Sequence, residues 1–151
     1  MNAHARRVET AVSGVAAPRW RPRLSRFCRA VIDAAGFDGC EISLLLCDDA
    51  RIAALNARYR AQNRPTDVLS FPREERGEGR DVTGDIAISL PAVKRNMKAF
   101  GVTEDEEIKR LLVHGILHLA GMDHGRGKGT KMLALQEELI GRLSDQFIIG
   151  E

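Results

Sequence analysis

Three of the chain's four histidines lie within His114-Gly115-Ile116-Leu117-His118-Leu119-Ala120-Gly121-Met122-Asp123-His124. Neutral imidazoles are metal ligands, and this spacing suits one ion. On an α-helix, positions 114 and 118 are stacked on one face, about 6 Å apart along the axis and rotated by roughly 40°. Gly121 can leave the helix with a positive φ, and a short turn then returns His124 toward the same point. Three imidazoles at ~2.0 to 2.1 Å leave a tetrahedral zinc one open position, as in catalytic rather than closed structural sites. Zinc is the first choice; nickel and copper tolerate the same ligands. Asp123 is either the group that orients a liganding ring or a turn residue. The offsets match the zinc-protease pattern H-E-x-x-H-x-x-G-x-x-H, except that Gly115 stands where the glutamate base belongs. A peptidase of that class needs the missing carboxylate.

These histidines need a buried helix to hold them. Residues 111 to 120 are apolar apart from His114 and His118, and Thr103 with Glu106 or Glu107 resembles the cap that opens that helix. Upstream, Leu24, Phe27, Cys28, Val31, Ile32 and Ala35 recur at helical spacing up to Gly36 and Gly39. Cys40 to Leu46 alternates as a central strand, and Asp48 or Asp49 caps a helix carrying Ile52, Leu55 and Tyr59, which Pro65 breaks. Val68 to Phe71, closed by Pro72, and Asp85 to Ser89 are two further strands. Pro91 starts a helix that runs to about Phe100, and Met132, Leu135, Leu139 and Ile140 mark a closing one. Residues 1 to 17 are weakly patterned, and His4 there has no assigned role. The expected fold is α+β: a single domain over residues 1–151, with a small mixed four-stranded sheet, about five helices and no strict βαβ repeat.

The composition limits the function. With 151 residues, 44% of them hydrophobic, the chain suffices for one sizeable core and is short for two. The net charge of +2 does not by itself argue for nucleic acid. Residues 1 to 30 nevertheless hold seven arginines against Glu9 alone, with Arg19, Arg21, Arg23, Arg26 and Arg29 clustered. That cluster is either a solvated helix face or a patch that contacts phosphates. Cys28, Cys40 and Cys47 form no C-x-x-C pair, which suits reduced, buried thiols in a cytoplasmic protein. No apolar run reaches the ~18 residues of a membrane span, and no signal core is evident, so no membrane association is expected. Gly125-Arg126-Gly127-Lys128-Gly129-Thr130 fails as a phosphate loop, because Gly129 follows the lysine where Ser or Thr is required. An arginine near a metal would add a permanent charge for an anionic substrate, and Arg60 is a candidate on that ground.

Asn56 to Arg60, then Pro65-Thr66-Asp67-Val68-Leu69-Ser70-Phe71-Pro72, then Gly84-Asp85-Ile86-Ala87-Ile88-Ser89, precede the histidine motif in that order. Together, over about residues 40 to 140, they resemble the YbeY family of bacterial endoribonucleases and rRNA maturation factors. The resemblance implies a zincin-like fold and a metal-dependent nuclease acting on single-stranded RNA. Its implied roles are maturation of the small-subunit RNA's three-prime end and ribosome quality control, with the ribosome or small-subunit components as partners. It implies His114, His118 and His124 as ligands of one zinc ion, and Arg60 and Asp85 as catalytic residues, with Asp85 near the cleft. Gly125-Arg126-Gly127-Lys128 departs from the family, which usually has acidic residues there. The expected chemistry is zinc-acidified water attacking a phosphodiester while Arg60 offsets phosphate charge, at a modest rate without a carboxylate base. A metallopeptidase and a non-enzymatic ribosome-assembly protein with structural zinc are the competing readings.

Overall fold

A computed structural model describes residues 5–73, 81–122 and 129–150. Strand β1 (Arg6–Ser13) leads through a 3-10 turn (Arg21–Arg23) into helix α1 (Leu24–Ala35), strand β2 (Cys40–Cys47) and helix α2 (Asp49–Arg60). Strands β3 (Val68–Pro72) and β4 (Val82–Ser89) follow, then helices α3 (Leu90–Phe100), α4 (Glu104–Leu119) and α5 (Gly129–Arg142). The sheet order is β1-β2-β4-β3. β1, β2 and β4 are parallel, and β3 runs antiparallel to β4.

This is the expected mixed four-stranded sheet, with more regular connections than the sequence suggested. The unit β1-α1-β2 is a parallel crossover, and a second crossover from β2 to β4 contains α2 and has β3 inserted into it. Strand β1 arises where the sequence is weakly patterned. It pairs only with β2, and none of its residues is fully buried, so no strong alternation is imposed on it.

Ile42, Leu44, Leu46, Ile86 and Ile88 project to one sheet face and form the main core with Leu24, Val31 and Ile32 of α1 and Ile108, Leu112 and Ile116 of α4. On the other face, Ile52 of α2 covers Leu69, Ala87 and Cys47 in a smaller core. The sheet is thus a platform with α4 on one side and α2 on the other. The three cysteines are free and buried, as expected of small apolar residues. Among the described residues no helix is long and apolar enough to cross a membrane.

Local signals account for the helix ends. Asp48, not Asp49, caps α2 by accepting the Arg51 amide at 2.9 Å. Thr103 and Glu106 form a full capping box at α4. Helix α2 stops at Arg60, before Pro65, because Ala61 turns left-handed with φ 57°. The Asn56 side-chain amide then donates to the Arg64 carbonyl at 2.9 Å and draws the chain back. The cost of the left-handed alanine, about 1 kcal/mol, falls directly beside Arg60.

Candidate active site

Helix α4 crosses the sheet with His114 and His118 half-buried at its polar edge, while their neighbours Val113, Ile116 and Leu117 are buried in the core. The rings meet edge to face at 71°, with centroids 4.6 Å apart. Their Nε2 atoms lie 3.1 Å apart. Two nitrogens at ~2.0 Å from one tetrahedral ion would be separated by roughly 3.3 Å, so the pair fits a shared metal. Among the described residues no group of three His, Cys, Asp or Glu side chains forms a metal cluster. His124, Asp123 and the Gly125 to Lys128 stretch lie outside the described residues.

Gly115 explains how the helix comes so close to the sheet. A Cβ there would sit 3.1 Å from two Ile86 side-chain carbons and 3.3 Å from Ser70 Oγ. The position faces β3 and β4, not the cleft. A glutamate there would press its Cβ against Ile86 and Ser70, which would have to shift by a few tenths of an ångström.

Ser70, which the sequence analysis did not single out, links the parts of the site. Its buried hydroxyl donates to the Gly115 carbonyl at 3.3 Å, and its own carbonyl accepts from Arg60 Nη2 at 2.8 Å. Arg60 also lies over the Phe71 ring, with Cζ 5.9 Å from the centroid. These contacts bring Arg60 into the same cleft as His114 and His118, as expected. The cleft has a volume of about 520 Å³ and is also lined by Asn56, Arg64 and Thr66. Its described lining contains two arginines and no carboxylate.

The loop forming one wall is tethered from behind. Asp67 accepts from Asn96 at 3.1 Å, Asn96 also donates to Glu107 at 2.8 Å, and Arg110 donates to Glu107 at 2.9 Å. The buried Glu107 carboxylate, by its hydrogen bond, raises the Arg110 pKa above its ordinary value.

Asp85 is not brought to the cleft. Gly84 and Ile86 face α4: a Cβ on Gly84 would lie 2.7 Å from Leu119, and Ile86 packs at Gly115. Strand alternation sends Asp85 to the opposite face, in register between Ser43 and Phe71. There it lines a separate groove with Leu45, Leu55, Tyr59 and Phe71. Its expected place near the cleft is corrected on that ground.

Gln136 of α5 is a further residue that sequence reasoning missed. It is 3% exposed, and its Oε1 lies 2.9 Å from His114 Nδ1. The signal was available: positions 132, 136, 139 and 143 share one helix face, and Gln136 is the polar member of that apolar stripe. Within the basic cluster, Arg21 donates to the Thr10 hydroxyl at 2.8 Å and carbonyl at 2.7 Å. Arg23 donates to the Gly150 carbonyl at 3.1 Å. These two arginines therefore brace β1 and the C-terminal segment.

Paired imidazoles and a guanidinium facing one polar cleft are the groups that a hydrolase of anionic substrates can use. The family model for Endoribonuclease YbeY matches residues 8–144, which extends the resemblance back into β1. An Endoribonuclease YbeY of Treponema denticola is 47% identical over 124 residues, covering 78% of this chain and 80% of that protein. One from Treponema pallidum is 42% identical over 142 residues, covering 89% and 88%. A Thermotoga maritima protein solved in solution superposes with a TM-score of 0.59 at 27% identity, covering 94% of this chain and 96% of that one. The chain belongs to the YbeY family of endoribonucleases, hydrolases that cut RNA at internal phosphodiester bonds.

Proposed function

We propose that this chain is a zinc-dependent endoribonuclease that cuts single-stranded RNA in the cytoplasm. Its substrate is ribosomal RNA, including the three-prime end of the small-subunit RNA, and it serves ribosome quality control alongside small-subunit components. The observation that carries the reading is one cleft in which two Nε2 atoms converge to 3.1 Å beside Arg60, with no carboxylate in its described lining. Such a lining favours an anionic backbone over a peptide.

His114, His118 and His124 are the proposed ligands, the third by its spacing in the sequence. Bound zinc supplies Lewis-acid chemistry, acidifying water toward a pKa of ~7 and polarising a phosphoryl oxygen. The chain's own groups do the rest. Arg60, anchored through the Ser70 carbonyl, directs its remaining N–H donors at non-bridging phosphate oxygens, where charge grows in the transition state. Arg64 supplies a second permanent charge along the strand's path. Asp85, on the far sheet face, takes no part in the chemistry. The peptidase reading is the weaker one, since Gly115 supplies no carboxylate base and faces Ile86 and Ser70 of the sheet.

The test is cleavage of a single-stranded ribosomal RNA fragment and of its duplex form by chelator-stripped protein, before and after addition of zinc, nickel or copper. The expected result is zinc-restored internal cutting of the single strand alone. Undiminished cutting by stripped protein would contradict the proposal.

A further inference from the structure

Gln136 comes from α5, yet it reaches an imidazole of α4 through the core side of the site. A buried amide needs partners, and its Oε1 meets His114 Nδ1 at 2.9 Å. With its carbonyl oxygen turned to the ring, Gln136 can only accept, and the proton of this hydrogen bond then belongs to Nδ1. A neutral imidazole has one N–H. With that proton on Nδ1, the Nε2 of His114 carries a lone pair, and this is the atom 3.1 Å from His118 Nε2.

We infer that Gln136 is a positioning residue that selects the Nδ1–H tautomer of His114 and holds its Nε2 lone pair toward the cleft. The metal-binding consequence rests on the proposed function; the tautomer does not. Because the partner is a neutral amide, it sets ring orientation without adding negative charge behind the ligand. The metal centre also becomes dependent on the docking of α5, and Met132 and Leu139, on either side of Gln136 along the helix, are fully buried in the main core.

The experiment is nitrogen NMR of the histidine rings in metal-stripped protein, paired with zinc affinity measured against a competing chelator. Wild type is expected to show His114 protonated at Nδ1 and bare at Nε2. Gln136→Leu, similar in size but without an acceptor, is expected to lose that preference and to bind zinc ~10- to 100-fold more weakly. Gln136→Glu, which restores an acceptor, is expected to keep the tautomer and at least wild-type affinity. A wild-type His114 protonated at Nε2 overturns the inference without any variant. So does a Gln136→Leu protein that keeps both the Nδ1–H form and wild-type zinc affinity. If the expected tautomers and affinities are found while no variant or wild type cuts RNA, the inference stands and the proposed function falls.

Discussion

Residue type and spacing give Arg60 and Gly115 their expected roles, the family resemblance gives Asp85 its own, and geometry treats the three differently. Arg60 reaches the cleft because Ser70 holds its guanidinium from the backbone side. Arg60→Ala is therefore expected to lower the rate of RNA cleavage ~10²- to 10³-fold while zinc content stays at the wild-type level. A variant with normal zinc and full cleavage would remove Arg60 from the chemistry. Gly115 is fixed by space: a glutamate there must displace Ile86 or the helix. Gly115→Glu should destabilise the fold by about 1–3 kcal/mol or more in denaturant titration and should yield no peptidase activity. The sequence showed the glycine as an absence; only the packing shows it as a close approach. The face of Asp85, in contrast, was legible from Ile86 and Ile88, because strand alternation places the residues between them on the opposite sheet face, the one that α2 covers.

At the scale of elements, the amphipathic helices, β2 and the capping box were all legible, because each has a local cause in caps and apolar period. The end of α2 was not. Left-handed Ala61 lies within the loop that the Asn56 hydrogen bond to the Arg64 carbonyl closes, and no helix-breaking residue stands at that position. Ala61→Gly should remove that strain and raise stability by about 1 kcal/mol, read as a higher denaturation midpoint. Asp49 illustrates a contact between elements. The hydrogen bond from Arg95 on α3, aided by Ser89 and opposed by partial desolvation, holds its carboxyl below the usual carboxylate range. A lowered folded pKa contributes stability above the unfolded value near ~4 and loses it as pH falls through the folded value. Asp49→Asn should thus unfold at a lower temperature than wild type at pH 7, with the gap closing in acid and narrowing in high salt.

On the scale of the whole molecule, a two-faced sheet separates a positively lined candidate cleft under α4 from the groove that contains Asp85. The edge strand β1 and the buried Gln136 were obscure in the sequence for opposite reasons: β1 has too little burial to be patterned, and Gln136 breaks a pattern otherwise typical of core. The thiols report on the integrity of the fold. Burial pushes Cys28 up to about 12 and Cys47 to about 11, so both stay protonated at neutral pH. Native protein at pH 8 should resist a thiol reagent that labels all three cysteines once it is unfolded; fast native labelling would contradict the packed core. The central claim, that the α4 histidines hold the metal that cuts RNA, is tested most directly by comparing wild type with His114→Ala. Zinc content and internal cleavage of single-stranded ribosomal RNA are measured on the same samples, with folding checked by circular dichroism. The account predicts a folded variant that has lost both zinc and cleavage; a folded His114→Ala protein that cuts at the wild-type rate would contradict it.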